Sequence, residues 1–413
     1  DGIRDFCLSR GLGDVYKRQG IFGKWHLGDN YPSRPSDQGF DESLIHLAGG
    51  MGQVGDFTNY FKKETSYFDP ILWHNNQQKP YKGYCSDIFT ENAIDFIEKN
   101  REQPFFCYLS FNAPHTPIEA PLKNIESFSY IEDKRDQLYA ANISSLDSEI
   151  GRILKAIEKK GILDETIIIF FSDNGPVFDT SAIARVIGPN LLNAKGSPGN
   201  LSGSKGSALE GGIRVPAVIW WKGVLENSKS NQFIFVQDLL PTLLSASGTK
   251  ITEKDNFDGK DKWNNLLNNK IIPPRNAFVG ARIQADERAL FNNEWKLYSS
   301  KPQLFSVSPT YKLFNIIEDP FEKNDLSKSE PEILEEMKKV LSSLPERDVV
   351  GDMNPAHAYL YGDDRQGGTE LGSPWLDGNY EFNNPPSLIV TIFISVWILI
   401  QAFKYYLIAF GVL

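Results

Sequence analysis

Short apolar runs of β-favouring residues, separated by amphipathic helical stretches, constrain this chain more than any other feature. Phe105–Phe111 (FFCYLSF), Thr166–Phe171 (TIIIFF) and Val215–Trp221 (VPAVIWW) are bounded by polar or turn residues and read as core strands. Gly20–Phe22 reads as a fourth. Between them, Ser86–Asn100 gathers Ile88, Phe89, Ala93, Phe96 and Ile97 on one helical face. Arg135–Lys160 repeats apolar residues at Leu138, Ala141, Ile150, Ile153, Leu154 and Ile157, and Gly161 suits its C-cap. Val236–Ser245 is a shorter helix interrupted by Pro241. This alternation predicts an α/β fold with a mainly parallel sheet sandwiched by helices. Ligands of such sheets sit beyond the carboxyl ends of the strands.

After about residue 275 the texture changes. Phe278–Arg282, Ala289–Leu290, Trp295–Tyr298 and Lys312–Phe314 are short strand-like pieces, and Glu330–Leu344 is helical in pattern. They predict a small C-terminal antiparallel subdomain closed by one helix. The expected divisions are a leader at 1–19, an α/β domain at 20–274, the subdomain at 275–345, a linker at 346–387 and an apolar segment at 388–413. Asp1–Gln19 has no helical or strand period and is set apart as a non-native leader. Leu388–Leu413 carries one charge, Lys404, in 26 residues, and crossing a bilayer takes about 20. A membrane segment is therefore expected there, the plainer alternatives being a buried core helix or an out-of-frame tail.

Charge narrows the partners. With 43 basic and 53 acidic residues the net charge is −10, and no basic face for a nucleic acid is expected. The three cysteines, Cys7, Cys85 and Cys107, have no zinc-site or disulfide spacing.

Four motifs carry chemistry. Ser172-Asp173-Asn174-Gly175 directly follows a strand, and its adjacent hard oxygens suit calcium or magnesium, although the same residues also make an ordinary Asx turn. Gly23-Lys24-Trp25-His26-Leu27-Gly28 puts an ammonium and an imidazole two residues apart on one side of an extended segment, suited to an oxyanion. A surface lysine beside a structural histidine is the plainer reading. Asn112-Ala113-Pro114-His115-Thr116-Pro117 mounts one histidine between two prolines at a strand end. Gly203-Ser204-Lys205-Gly206-Ser207, leading to Glu210-Gly211-Gly212-Ile213-Arg214-Val215-Pro216, is an anion cradle or simply a flexible loop.

In this order the motifs resemble the type I sulfatases, the arylsulfatase-like branch of the alkaline-phosphatase-like superfamily. Gly83-Tyr84-Cys85-Ser86-Asp87, Gln237-Asp238-Leu239-Leu240-Pro241-Thr242 and Tyr311-Lys312-Leu313-Phe314 extend the likeness to roughly Gly20–Leu344. The resemblance implies sulfate-ester hydrolysis with calcium and a formylglycine nucleophile. By it, Lys24, His115 and Lys205 bind the sulfate. His26 acts on the nucleophile, His115 is a proton donor to the leaving alcohol, and Asp173 and Asn174 ligate calcium. It implies sulfated small molecules or glycans as substrates, and an exported protein, with no signal peptide in this sequence. The family's nucleophile lies in a Cys/Ser-x-Pro-Ser-Arg string and a pair of aspartates supplies further calcium ligands; neither occurs here. An N-terminally truncated member, itself inactive, is the expectation. The alternatives are a phosphoester or phosphonate ester hydrolase, or a membrane-tethered, non-catalytic sulfated-glycan binder.

Overall fold

The computed structural model describes residues 18–28, 31, 33–52, 56, 58–59, 66–177, 196–249, 251, 257–274, 276–281, 285–302 and 308–344. The expected leader up to residue 17, the linker and the apolar segment 388–413 lie outside them. No helix among the described residues is long and apolar enough to cross a membrane.

A five-stranded sheet forms the centre, built from β1 (Arg18–Lys24), β2 (Glu42–His46), β3 (Ile71–His74), β4 (Gln77–Pro80) and β5 (Phe105–Ser110). Its order is β4-β3-β2-β1-β5. β1 runs parallel to both β2 and β5, while β2–β3 and β3–β4 are antiparallel. Helix α1 (Cys85–Asn100) covers one face, placing Ile88, Phe89, Ala93, Phe96 and Ile97 against Phe22, Leu44 and Leu72. This is the apolar stripe read from the sequence. Ile21, Trp25, Phe40 and Ile45 form the core on the other face. After α2 (Leu122–Ser127), the long α3 (Lys134–Lys159) begins at Asp133, whose carboxylate caps the backbone N–H groups of Arg135 and Asp136.

Three expectations are corrected here. β1 begins at Arg18, so the leader expected at 1–19 loses its last two residues to the sheet. Arg18 pairs with Phe105, and the Gln19 backbone donates to Asp41 Oδ2 at 2.8 Å. Their polar side chains hide a strand whose backbone pairing decides the matter. Second, β2, β3 and β4 were not foreseen, because the apolar runs in ESLIH and ILWH are only two or three residues long and QQKP has none. Third, β6 (Ile168–Phe171) and β7 (Ala217–Trp220) pair with each other antiparallel, apart from the main sheet. Both β5 and β6 line an apolar cavity of about 760 Å³.

The C-terminal subdomain is as expected. β8 (Ala277–Ala281), β9 (Ala285–Asn292), β10 (Trp295–Pro302) and β11 (Thr310–Asn315) form an antiparallel sheet of order β11-β10-β9-β8. The last helix (Pro331–Ser343) packs Met337 and Leu341 on Leu290, Leu297 and Leu313 of one face. The opposite face, with Ala289, Phe291 and Phe314, packs on Ala208, Leu209 and Ile213 of the glycine-rich segment.

Candidate active site

The carboxyl ends of β1, β5 and β6 lead into the motifs singled out in the sequence. Lys24 ends β1, buried despite its charge, at 5% side-chain exposure. β1 approaches β5 closely enough that a Cβ on Gly23 (φ +123) would lie 1.8 Å from the Ser110 carbonyl oxygen. Ser110 Oγ in turn donates to the Lys24 carbonyl at 2.6 Å. The Lys24 ammonium reaches across the strand ends to Asp173, with Nζ 3.6 Å from Oδ2. Burial and the charge of Lys205 push the Lys24 pKa down to about 8 against the upward pull of Asp173.

His115 and Lys205 meet directly, Lys205 Nζ lying 3.2 Å from His115 Nε2. His115 Nδ1 lies 2.8 Å from the Thr116 carbonyl oxygen, which only an N–H can satisfy. This fixes the tautomer: Nδ1 carries the proton and Nε2 accepts from the ammonium. Burial, then Lys205 and Lys24, hold the imidazole well below its usual pKa, so it is neutral near pH 7. The Tyr67 hydroxyl donates to the His115 carbonyl at 2.7 Å, and Glu119 receives the backbone N–H groups of Ser66 and Tyr67. These bonds tie the histidine loop to its neighbours. Burial also lowers the Lys205 pKa, and the negative charge of Asp173 opposes that.

His26 follows Lys24 with a left-handed backbone (φ 54). It stands exposed, yet protein crowds its ring and the charges of Lys24 and Lys205 add to that, so its pKa is held down. Water on its exposed side screens part of these effects. Asn174 keeps to its own turn, its amide donating to the Gly175 carbonyl at 2.8 Å. Asp173 and Asn174 are hard oxygen donors of the kind calcium takes, but two of the six to eight it prefers. Among the described residues no three His, Cys, Asp or Glu side chains converge as a metal cluster. The donors fit calcium in kind and only in part in number.

One site residue escaped the sequence reading. His46 is fully buried on the unforeseen β2, in register with Lys24, and its Nε2 lies 2.6 Å from Asn112 Nδ2. Burial and the charge of Lys24 keep it neutral. The only signal for it was a histidine after Leu44-Ile45, too short a run to mark a strand.

Lys24 with Asp173, and Lys205 with His115, thus form two contacting pairs whose charges act on each other, with His26 within the field of both ammonium groups. The family model named Sulfatase matches residues 9–249, more than half of the sequence. This chain belongs to the sulfatase family. The uncharacterized sulfatase YdeN of Escherichia coli is 32% identical over 281 residues, covering 60% of this chain and 45% of its own length. The N-acetylgalactosamine-6-O-sulfatase of Bacteroides thetaiotaomicron is 26% identical, covering 79% of this chain and 60% of that one. The chain therefore spans about half the length of these curated relatives. Among solved structures, Ps i-CgsB in complex with k-i-k-neocarrahexaose is 30% identical with a TM-score of 0.66, covering 81% of this chain and 73% of that one.

The neutral state of His115 has a consequence for the stability of this chain. Because its folded pKa is depressed, His115 contributes stability above its ordinary value near 6.5. That stability is lost as pH falls from there towards the depressed value, since the unfolded chain takes the proton first. An NMR titration is expected to show no His115 protonation between about pH 8 and about pH 6. A midpoint near 6.5 would contradict the contact with Lys205.

Proposed function

We propose that this sulfatase-family chain is the greater part of a sulfate-ester hydrolase acting on sulfated small molecules or glycans. The observation that carries the reading is that buried Lys24 and partly buried Lys205 both bring their positive charge to bear on the neutral imidazole of His115, Lys205 in direct contact with it. In a site of low dielectric, two preplaced cations stabilise the charge that develops on sulfate oxygens far better than water-exposed lysines do. Lys24 and Lys205 grip the sulfate, and His26 stands where it would hydrogen-bond an attacking group. His115 presents Nε2 to the ester side. The nearest proton to that nitrogen is on Lys205, so the two act as one acid unit beside the leaving alcohol.

Formylglycine supplies the attacking hydroxyl in this family, and its Cys/Ser-x-Pro-Ser-Arg string is not in this sequence. Calcium, held in part by Asp173 and Asn174, would add positive charge opposite the sulfate oxygens. Export of the whole protein, and a membrane attachment through 388–413, belong to the same proposal.

Two measurements test it. Calorimetric titration of sulfate into the chain at pH 7 is expected to show one bound sulfate, and no binding would contradict the site. A chromogenic aryl sulfate is expected to show no turnover above a buffer blank, because the nucleophile string is absent; turnover would sink the mechanism.

A further inference from the structure

The antiparallel sheet of the C-terminal subdomain does more than cap the molecule. One face packs on the segment that carries Lys205, and a buried ion group joins the two. Lys296 on β10 is fully buried, with Nζ 2.9 Å from Glu210 Oε1 and 2.7 Å from Glu322 Oε1. Glu322 Oε2 accepts the backbone N–H of Glu210 at 2.8 Å, and Arg214 pairs with the other Glu210 oxygen. The four formal charges cancel. Nearby, Glu287 on β9 accepts from Ser207 Oγ at 2.7 Å and from the Ala208 N–H at 2.8 Å.

Such a group is a poor device for stability alone, because apolar replacements of buried ion pairs are often neutral or better. What it does supply is one fixed placement. Glu322 holds an unfavourable left-handed backbone (φ 54) within it. The segment so fixed is the one that organises the anion site. The Gly212 carbonyl accepts the Gly175 N–H at 2.8 Å, directly after Asp173 and Asn174. The Lys205 N–H donates to the Pro176 carbonyl at 2.7 Å.

We propose that Lys296, with Glu210 and Glu322, is a positioning residue of the anion site: through this buried ion group the C-terminal sheet holds Lys205 against His115. The proposal rests on the reading of Lys205 as a sulfate contact and extends it to residues far away in sequence.

The test uses the full chain carrying Lys296→Met with Glu322→Gln. This removes one charge of each sign, keeps Glu210 paired with Arg214, and leaves the new side-chain amide as an acceptor for the Glu210 N–H. Lys312→Met, at an exposed position of the same sheet, is the control. Working where circular dichroism shows native structure, we expect the His115 titration to rise towards its ordinary value as Lys205 is released. Sulfate affinity is expected to fall about tenfold, the loss of roughly one charge-assisted hydrogen bond. Lys312→Met should change neither. A folded double variant with wild-type His115 titration and sulfate affinity would overturn the proposal. Should the double variant not fold, Glu322→Gln carries the same test with smaller shifts, and wild-type values there overturn it equally. The groups facing this readout are few: His115 senses Lys205, Lys24 and His46, and Thr116 through its carbonyl. Its titration needs no ligand, so a wild-type chain that failed to bind sulfate would refute the anion-site reading while the positioning claim was still decided.

Discussion

Replacing both site lysines, Lys24→Met with Lys205→Met, is expected to lower sulfate affinity by roughly a thousandfold. A hydrogen bond to a charged group contributes about 1.5–3 kcal/mol, and two such bonds correspond to about 10²–10⁴ in affinity. The effect lies near the middle of that range because Lys24 is buried and Lys205 is partly buried, so water screens the pair only in part. The same variant removes the two positive charges that hold His115 down, so its titration should move up. Calorimetry and an NMR titration on one sample check both. A tenfold loss or less would mean that sulfate is bound elsewhere. Lys24→Met alone also takes the nearby charge from Asp173, whose side chain is 4% exposed, and should lower stability by a few kcal/mol.

Gly175→Ala should have the largest effect on the fold. An added Cβ would lie 1.8 Å from the Gly211 carbonyl oxygen and 3.0 Å from the Gly212 Cα, so backbone must move. The Gly175 N–H bond to Gly212 would be lost with it. Destabilisation above about 4 kcal/mol is expected, in the range reserved for severe core disruption. Chemical denaturation measures it. A change under about 1 kcal/mol would show that the 173–176 turn and the 210–214 segment are not packed as described.

Three of the four motifs follow a strand directly, and glycine or proline marks the turn of each, which is why their residues could be picked out from the sequence. Lys24 meets Asp173 at strand ends, and His115 meets Lys205, which a glycine-rich loop carries from far along the chain. The C-terminal subdomain was legible for a similar reason, since Trp295–Tyr298 and Lys312–Phe314 are β-rich pieces with short breaks between them. What was hidden depended on pairing. Gln77–Pro80 and Glu42–His46 are strands because their backbones find neighbours, and their side chains give little sign of it. His46 was lost with its strand. Lys296 was hidden for another reason: a lysine in a strand reads as solvent-facing, and only Glu210 and Glu322, brought in from distant segments, make its burial tolerable.

The central claim is that Lys24, Lys205 and His115 form one anion site. A crystal of the chain soaked in sulfate tests it most directly. The account predicts a sulfate within hydrogen-bond distance of both ammonium groups and of His115 Nε2. Sulfate bound at any other place, with the gap between Lys24 and Lys205 filled only by water, would contradict it.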